Sequence, residues 1–402
     1  MVVMTSPVSM YDVLIVGGGP AGASAAIHLA GQGAHVLLLE GRKFPRAKLC
    51  GEFISPECFA HFRRLGVWDG MMEAGGARIS RTEFYARSGR RVSVPSEWFA
   101  GQETWALGLS RAEMDERLLR RARAAGIEVL EEARAVGAVC DEEGRVCGVR
   151  AQVSNEERRF HALITIDATG RARALARRVE GHGRKSGARK TKMPLVAFKA
   201  HLEGAGVAAG ACEIYFYKGG YGGLSSVENN LCNLCFIAAS RDVRACANDA
   251  GRVMREIVAS NRRAAETLRN ARVKSEWLAV ALESFGRNES VPADGLLTIG
   301  DAAAFIDPFT GSGMLMALES GALAAETIAR HLPALRAGAA FAALADAYRA
   351  AYRQRFAERL RVCTHLRRAA FAPQLLTEAA TLALAASQTA RRALARATRR
   401  TH

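Results

Sequence analysis

The hydrophobic residues near the start of the chain form short continuous runs instead of an alternating pattern. One run covers Val13 to Val16 and a second covers residues 35–39, and the alanine-rich segment between them begins near Pro20. Continuous apolar runs of this length are typical of strands buried on both faces of a parallel sheet. The order strand, helix, strand therefore predicts a parallel α/β unit over residues 11–40.

The turn between this first strand and the helix is rich in glycine. Gly17, Gly19 and Gly22 have G-x-G-x-x-G spacing, and Pro20 and Ala21 stand in the first helical turn. A tight turn, close approach of a pyrophosphate and close helix–strand packing each exclude a side chain. The first N–H groups of a helix are free to bind an anion, and a proline there costs no hydrogen bond. We expect these five residues to bind a dinucleotide.

An acidic residue follows the second strand. Glu40 lies 18 residues after Gly22, where a carboxylate can accept hydrogen bonds from both ribose hydroxyls of an adenosine. A carboxylate at this position would repel a 2′-phosphate. The turn is therefore expected to bind FAD or NAD, and not NADP.

A second glycine-rich motif occurs near residue 300. An apolar run ends in Gly300 and Asp301, and residues 307–313 lead into a helix predicted over 314–330. An aspartate at a strand end can accept a hydrogen bond from a ribityl hydroxyl. The backbone N–H groups of Gly311, Gly313 and Met314, at a helix N-terminus, can stabilise the negative charge of a reduced flavin. The two motifs together favour a flavoprotein over an NAD dehydrogenase.

The long loop after Glu40 resembles a known family. Its residues FPRAKLCGEFISPE, from Phe44 to Glu57, are similar to the pattern of FAD-dependent geranylgeranyl reductases and their bacterial relatives, within the p-hydroxybenzoate hydroxylase-like flavoproteins. The D-A-T-G turn that ends the strand predicted over 162–170 also matches. The resemblance extends over nearly all of residues 11–330, and it implies the fold of that group with FAD as cofactor.

The resemblance also implies roles for individual residues. Arg111, in an R-x-x-x-D arrangement with Asp115, would reach the FAD phosphates. Cys50 would lie at the flavin, close to the reacting carbon, as a proton donor. Tyr221 would line the substrate pocket, although the tryptophan of the reductase motif is absent here. Further cofactor contacts are expected from Gly41, Arg42, Gly51, Ala135, Thr169 and Gly170.

Periodicity predicts most of the remaining elements. Ser110 to Gly126 is predicted as a helix with a reciprocal capping box between Ser110 and Glu113. Residues 127–150 are predicted to form a β-meander. Residues 192–285 are predicted to form strands around one helix, near 243–259. Two further helices are predicted, over 339–368 and about 374–400.

We therefore expect an α/β chain of the α+β two-domain type. It combines a Rossmann-type FAD-binding domain and its β-meander with a strand-rich substrate domain and a helical C-terminus. The length of 402 residues exceeds what one core usually serves. The predicted bounds are 10–75, 105–180 and 286–335 for the FAD-binding domain, 76–104 and 181–285 for the substrate domain, and 336–402 for the helical region.

The formal net charge of +16 is unevenly distributed. Residues 332–402 hold thirteen arginines against three carboxylates, and residues 171–192 hold nine lysines or arginines against one. Such surfaces can attract an acidic carrier protein or an anionic membrane, although a solvated arginine-rich surface is the simpler explanation. The basic runs lack the interleaved aromatic residues that base stacking needs, so no nucleic-acid partner is expected.

The cysteine pattern indicates the compartment. Nine cysteines without framework spacing predict reduced thiols and a cytoplasmic protein. No signal peptide or membrane-spanning run is expected, so any membrane association would be peripheral. Cys232 and Cys235 would point to opposite faces of one strand, and no metal site is expected. The sequence leaves the oligomeric state open.

These features predict an FAD-dependent oxidoreductase that acts on a hydrophobic substrate, either carrier-bound or membrane-borne, in secondary metabolism. The expected reaction is reduction of an isolated C=C bond or the reverse oxidation, with NADH or NADPH as the candidate electron donor. Two alternatives stay open: an NAD(P)H-dependent flavin monooxygenase that hydroxylates or epoxidises an aromatic or polyene substrate, and a non-enzymatic flavin-binding redox module. The lysine-bearing and tryptophan-rich motifs of flavin halogenases are not evident, which disfavours halogenation.

Overall fold

The computed structural model describes residues 10–99, 102–181, 189–307, 309, 311–371 and 374–397. Parts of the predicted motifs lie outside these residues. They are Pro308 and Thr310 of the second glycine-rich motif, the basic residues between 182 and 188, and Arg399 and Arg400 at the end of the last predicted helix.

Nineteen strands and twelve α-helices are present in the described part of the chain. The strands are β1 Met10–Val16, β2 Val36–Leu39, β3 Phe53–Ile54, β4 Ala77–Ile79, β5 Arg81–Tyr85, β6 Arg91–Pro95, β7 Ala106–Gly108, β8 Glu128–Leu130, β9 Arg134–Cys140, β10 Val146–Val153, β11 Glu156–Asp167, β12 Arg189–Glu203, β13 Ala211–Tyr217, β14 Gly220–Ser226, β15 Cys232–Ala239, β16 Arg272–Val273, β17 Leu278–Arg287, β18 Leu296–Thr298 and β19 Ala304–Phe305. The helices are α1 Pro20–Ala30, α2 Glu57–Leu65, α3 Trp68–Glu73, α4 Arg111–Ala124, α5 Ala176–Val179, α6 Ser240–Ala245, α7 Ala250–Glu256, α8 Arg262–Leu268, α9 Gly313–Arg336, α10 Ala342–Ala370, α11 Gln374–Ala386 and α12 Gln388–Ala397.

The first sheet has seven strands and contains the predicted dinucleotide-binding unit. Its order is β8-β2-β1-β11-β10-β9, and β18 also pairs with β11. The pairings that join β8, β2, β1, β11 and β18 are parallel. The pairings of β9, β10 and β11 are antiparallel and form the meander. The predicted parallel α/β unit and a meander are therefore present in one sheet, but the meander was predicted too early: Glu128–Leu130 pairs parallel with β2, and the third meander strand is β11.

The second sheet has nine strands and forms the opposite side of the molecule's main cavity. Its order is β19-β17-β12-β15-β14-β13-β5-β6, and β16 also pairs with β12. Neighbouring strands pair antiparallel except β13 and β5, which are parallel. A small third sheet has the order β3-β7-β4. The predicted FAD-binding segment 286–335 contributes β18 to the first sheet and β19 to the second sheet. The division into domains stays a prediction.

The main core lies between the first sheet and helices α1, α4, α9 and α10. Val13 and Ile15 of β1 are fully buried in it. The alanines on the buried face of α1 belong to the same core, since small side chains let α1 lie close to the sheet. This packing fixes the N-termini of α1 and α9 at the edge where the parallel strands end, and ligands bind at that edge in sheets of this type.

The helix predicted over Ser110 to Gly126 is present, but its capping box is not reciprocal. Ser110 Oγ accepts a hydrogen bond from Glu113 N at 3.2 Å, as predicted. The N–H of Ser110 donates to Glu228 Oε2 at 3.0 Å instead of to Glu113. The Glu113 carboxylate pairs with Arg117, one turn further along the same helix. Glu228, from a distant segment, thus takes the place of Glu113 as the acceptor for the N–H of Ser110.

Three predicted elements differ from the structure. The single helix predicted near 243–259 is divided into α6 and α7, because Ala247 and Asn248 have positive φ angles of 56° and 59°. The last predicted helix is divided into α11 and α12 around Ser387, whose Oγ accepts the N–H of Ala390 at 3.2 Å. The glycine-rich stretch that begins at Gly220 forms strand β14, although it has few of the side chains that favour strands.

The described residues contain no helix that is both long and apolar enough to cross a membrane. All nine cysteines are free thiols. Cys232 packs in the core behind the second sheet, and Cys235 lines the main cavity. The two therefore lie on opposite faces of β15, as predicted.

Asn261 offers a direct test of how the second sheet is held to its helices. This fully buried residue donates through Nδ2 to Tyr85 O, Ala86 O and Phe216 O at 3.0–3.1 Å, and its Oδ1 caps α8. Asn261→Ala removes the donor to these three carbonyls and the acceptor for the N–H groups of Arg263 and Ala264 at the start of α8. We expect the free energy of unfolding to fall by about 3 kcal/mol or more, measured by urea denaturation.

The matched control is Asn270→Ala, at an exposed asparagine. It should change the free energy of unfolding by no more than about 0.5 kcal/mol. Equal effects of the two substitutions would contradict the role given to Asn261.

Candidate functional site

The glycine turn between β1 and α1 excludes side chains at two of its three glycines. A Cβ atom at Gly17, where φ is 109°, would lie 2.4 Å from Ala168 O, and one at Gly22 would lie 1.9 Å from Gly17 O. At Gly19 the nearest atom is Arg111 Nη2, 3.7 Å away, so this side of the turn is open. Gly17, Gly19, Pro20 and Ala21 line the main cavity. Gly22, predicted as a cofactor contact, does not line it and serves the packing of the turn instead.

Glu40, directly after β2, is fixed at the same cavity by the backbone. Its carboxylate accepts hydrogen bonds from Gly18 N at 2.8 Å and from Arg42 N at 3.0 Å. Arg46 Nη2 lies 3.5 Å from Oε2. The predicted contacts Gly41, Arg42 and Ala135 line the cavity as well. The acid predicted to bind ribose is therefore held in place at the carboxyl end of a parallel strand.

Arg111 begins α4, and a carboxylate one turn later holds its guanidinium. Nε donates to Asp115 Oδ1 at 2.8 Å and Nη2 donates to Oδ2 at 2.7 Å. Burial alone would lower the pKa of Arg111, but the charge of Asp115 outweighs it and raises the pKa. Arg46 also reaches Asp115, at 3.3 Å. Two oriented guanidinium groups at the cavity wall suit an anionic ligand.

The predicted active-site loop brings Cys50 and Gly51 to the cavity. A Cβ atom at Gly51 would have no neighbour within 4 Å, so a ligand can approach the backbone there. The N–H of Glu52 donates to Cys50 Sγ at 3.4 Å, and Asn233 Nδ2 donates to Cys50 O at 3.0 Å. The thiol is therefore oriented by its own loop, and the loop is attached to the second sheet.

Glu52 is fully buried and has a positive φ of 53°. Its carboxylate accepts hydrogen bonds from Arg111 N at 2.8 Å, from His201 Nε2 at 2.7 Å and from Lys199 Nζ. Burial would raise the pKa of Glu52, but the hydrogen bond from His201 and the charge of Lys199 together lower it below its usual value. The glutamate is thus ionised and connects the loop, α4 and β12.

Asp301 follows β18 in a short 3₁₀ turn and lines the cavity. Among the residues that the structure describes, none donates a hydrogen bond to its carboxylate. Burial raises the pKa of Asp301, and this is opposed by the charges of Arg171, Arg111 and Lys48. The predicted contacts Thr169 and Gly170 line the cavity too, and a Cβ atom at Gly170 would lie 4.0 Å from Asp301 Cβ. The carboxylate is therefore free to accept a hydrogen bond from a ligand hydroxyl, and its contact with the ribityl chain stays a prediction.

The N-terminus of α9 faces the same cavity. Gly311 has a φ of 61°, and a Cβ atom at Gly313 would have no neighbour within 4 Å. Gly311, Gly313 and Met314 line the cavity. The first N–H groups of this 24-residue helix have no partner within the helix, so they can interact with a partial negative charge on a ligand.

Tyr221 lines the cavity from β14, but its hydroxyl already has partners. It donates to Asp307 Oδ1 and accepts a hydrogen bond from Phe309 N at 2.9 Å. Burial and the Asp307 carboxylate raise the pKa of Tyr221 well above its usual value. Arg367 of α10 completes the group by donating to Asp307 Oδ2 at 2.9 Å. The tyrosine therefore offers its ring, and not its hydroxyl, to a ligand.

The cavity has two parts. The polar part, which we call the cofactor cleft, is lined by the residues described above from the first sheet and α9. The second part, which we call the apolar chamber, is lined by hydrophobic side chains of the second sheet and of the C-terminal helices, among them Phe84, Val94, Ile214, Phe216, Ile237, Leu282, Phe309, Leu366, Leu384 and Leu394. Both parts belong to one cavity of about 2240 Å³.

The C-terminal helices cover the apolar chamber instead of extending into solvent. Glu378 of α11 accepts hydrogen bonds from Ser88 N at 3.1 Å and Ser88 Oγ at 2.7 Å. Arg391 of α12 donates to Ser93 O at 3.1 Å. The sequences of α11 and α12 are rich in alanine, and this pattern did not indicate that the two helices would cover the apolar chamber. Sequence analysis also missed Arg46, Lys199 and Asp307, since each acts through a partner distant in the chain.

The cofactor cleft fits FAD. It combines an open glycine turn at a helix N-terminus, a fixed acid for a ribose, two guanidinium groups for a pyrophosphate, an unpaired carboxylate and a second open helix N-terminus. These are the groups that a dinucleotide flavin requires.

Glu40→Gln tests this fit. An amide replaces a charged acceptor by a neutral one, and hydrogen bonds to charged groups are roughly twice as strong. We expect the Kd for FAD to rise about tenfold or more when apoprotein is titrated with FAD and flavin fluorescence is followed. Glu142→Gln, at an exposed glutamate in the turn between β9 and β10, is the control. An unchanged Kd in Glu40→Gln would contradict the assignment of Glu40.

Comparison with known proteins agrees with this geometry. The family model described as "FAD binding domain" matches residues 10–362. Digeranylgeranylglycerophospholipid reductase 2 of Methanopyrus kandleri is 29% identical over 327 residues, which cover 79% of this chain and 77% of that protein. Menaquinone reductase of Mycolicibacterium smegmatis is 28% identical over 335 residues, which cover 78% and 75%. The resemblance to geranylgeranyl reductases is thereby confirmed.

Solved structures give the same fold. A triple mutant of the flavin-dependent brominase Bmp2 matches with a TM-score of 0.78 at 22% identity, over 96% of this chain and 97% of that one. The predicted α/β flavoprotein fold is thereby confirmed. The chain belongs to the family of proteins built on the FAD binding domain, and it is an FAD-dependent oxidoreductase.

Proposed function

We propose that this oxidoreductase reduces an isolated C=C bond, or catalyses the reverse oxidation, in a hydrophobic substrate that occupies the apolar chamber. The observation that carries the proposal is the continuity of that chamber with the cofactor cleft. An apolar substrate can reach the flavin without leaving a dry environment, and burial of its surface supplies the binding energy.

The size of the cavity supports a bulky substrate. Its volume of about 2240 Å³, which the cofactor cleft and the apolar chamber share, is more than twice the roughly 300–1,000 Å³ of an ordinary ligand pocket, so it has room for a bulky substrate beside FAD. Aromatic rings contribute much of the chamber wall. Phe309 lies with its ring centroid 5.5 Å from those of Phe216 and Tyr221 and 5.8 Å from that of Phe84. Such a surface fits a polyene or polyisoprenoid better than a small polar metabolite.

The relatives favour the same chemistry. One is named as a reductase of a geranylgeranyl lipid and another as a reductase of menaquinone. Both names describe reduction of a large hydrophobic molecule. In this proposal NADH or NADPH supplies the electrons, and the substrate reaches a cytoplasmic enzyme from an anionic membrane surface or an acidic carrier protein that its positive charge attracts.

The residues of the chain have distinct proposed roles. The turn at Gly17 and Gly19 and the guanidinium of Arg111 hold the pyrophosphate, and Glu40 holds the ribose. Asp301 orients the ribityl chain. The start of α9 stabilises charge on the ring. FAD supplies the hydride chemistry when bound.

Cys50 is the proposed proton donor. Reduction of a C=C bond requires one hydride and one proton, and the Cys50 thiol is the group that the loop orients at the boundary between cofactor cleft and apolar chamber. Glu52 is ionised and bound by three donors, so it orients the loop and does not itself supply the proton. Tyr221 stays a neutral phenol whose proton is engaged by Asp307.

An anaerobic turnover experiment tests the proposed reaction. The purified FAD protein is reduced with NADPH or NADH and mixed with menaquinone or another polyprenyl compound in the absence of oxygen, and the product is analysed by mass spectrometry. We expect a product that keeps two additional hydrogen atoms in its polyprenyl chain after any reduced quinone ring has been reoxidised in air, located by fragmentation of the chain. A gain of two hydrogen atoms that is lost on reoxidation would show reduction of the ring and not of a C=C bond. A product that forms only with oxygen and gains an oxygen atom would identify a monooxygenase. No turnover with any polyprenyl compound, with or without oxygen, would favour a non-enzymatic redox module.

Cys50→Ser tests the proposed proton donor. We expect FAD to stay bound and reducible while the rate of substrate reduction falls about 10²- to 10⁴-fold, the usual contribution of a general acid. Stopped-flow absorbance separates flavin reduction from its reoxidation by substrate. Cys140→Ser, at an exposed cysteine of β9, is the control. Unchanged reoxidation in Cys50→Ser would remove Cys50 from the mechanism.

A further inference from the structure

Arg391 of α12 places a cation at the wall of the apolar chamber. Its side chain is half-buried and lines the cavity. Nη1 donates to Ser93 O on β6 at 3.1 Å, and the guanidinium carbon lies 5.7 Å from the Trp98 ring centroid. These two contacts fix the direction of the guanidinium while leaving most of its donors unused.

The hydrogen-bonding capacity of Arg391 is incomplete. Its Nε is buried and has no hydrogen-bond partner. Within the described residues, no carboxylate lies at ion-pair distance from this guanidinium, whereas Arg367 on α10 pairs with Asp307. A buried charged donor without a partner is costly. The terminal guanidinium nitrogens of this half-buried side chain carry further N–H groups at the cavity wall, and these are the donors that a ligand in the cavity can reach.

The surroundings of Arg391 are otherwise hydrophobic. Val94, Trp98, Phe99 and Ala395 form one buried cluster beside it, and Val94, Phe99, Leu394 and Ala395 line the same cavity. The neighbouring Arg392 and Arg396 are exposed and can be hydrated. Of the described arginines on α12, Arg391 is thus the one that lines the cavity.

We infer that Arg391 binds an anionic group, a carboxylate or a phosphate, at one end of an otherwise hydrophobic substrate. This inference rests on the proposed function, because it requires an apolar ligand in the chamber. A guanidinium fits both kinds of anion in bidentate geometry. Binding at α12 would orient the chain of the substrate through the chamber toward Cys50 and the start of α9.

The consequence is selectivity between substrates with the same hydrophobic body. A hydrogen bond between the guanidinium and an anion has charge on both sides, whereas the hydroxyl oxygen of an alcohol is only a neutral and therefore weaker acceptor. A substrate with an anionic end should therefore bind roughly tenfold to a hundredfold more tightly than the corresponding alcohol.

Isothermal titration calorimetry on the FAD-loaded protein tests the inference. The probes are decanoate, decyl phosphate and decanol, each below its aggregation limit. For the wild type we expect at least one anion to bind roughly tenfold or more tightly than decanol. The tighter of the two anions identifies the preferred head group.

Three variants locate the effect. Arg391→Gln should abolish the preference for the anion and leave decanol binding unchanged, and Arg391→Lys should retain part of it. Arg392→Gln, which removes an equal charge from the exposed side of the same helix, should keep the full preference. FAD content and thermal midpoint of each variant establish that it is folded, and decanol binding establishes that the chamber is intact.

Two results would overturn the inference without affecting the proposed function. They are equal binding of anions and alcohol by the wild type, and an anion preference that persists in Arg391→Gln. If none of the three probes binds to the wild type, the hydrophobic chamber itself is wrongly assigned and the proposed function falls together with the inference.

Discussion

The carboxylate of Glu52 joins three segments that are distant in the chain: the active-site loop, the first turn of α4 through Arg111 N, and β12 through Lys199 and His201. Removing one partner of a buried ion pair typically costs about 3–5 kcal/mol. That exceeds the roughly 1–3 kcal/mol of strain associated with a left-handed backbone at a non-glycine residue. The network can therefore hold Glu52 in its conformation. This carboxylate, together with the hydrogen bond from Asn233 Nδ2 to Cys50 O, fixes Cys50 relative to both sheets.

Local chemistry explains what the sequence could predict. The turn at Gly17 and Gly22 excludes side chains through contacts within a few residues or with the adjacent strand, so residue spacing alone identifies it. Glu40 and Asp301 each stand directly after a buried strand. In a parallel sheet such positions lie at one edge, and the cofactor cleft could be assembled from sequence for that reason. The hydrogen bond from Glu113 N to Ser110 Oγ was also predictable, because it joins residues only three positions apart.

The features of the site that the sequence did not predict depend on contacts between residues far apart in the chain. Lys199 lies within an apolar strand pattern that gives no indication of a carboxylate 147 residues earlier. Glu228 replaces Glu113 as the partner of Ser110 N because tertiary packing brings it there. The arginine-rich composition after residue 332 gave no indication that α11 and α12 also cover the apolar chamber. Helical periodicity shows that a helix has an apolar face, but not which surface will cover that face.

The central claim is that one continuous cavity brings the flavin ring against a hydrophobic substrate. A crystal structure of the FAD-bound protein with a polyprenyl quinone tests it most directly. The account predicts the flavin ring between the Cys50–Glu52 loop and the start of α9, with the substrate chain among Phe84, Phe216 and Phe309. Substrate density on the outer surface of α11 and α12, with the apolar chamber filled by water, would contradict it.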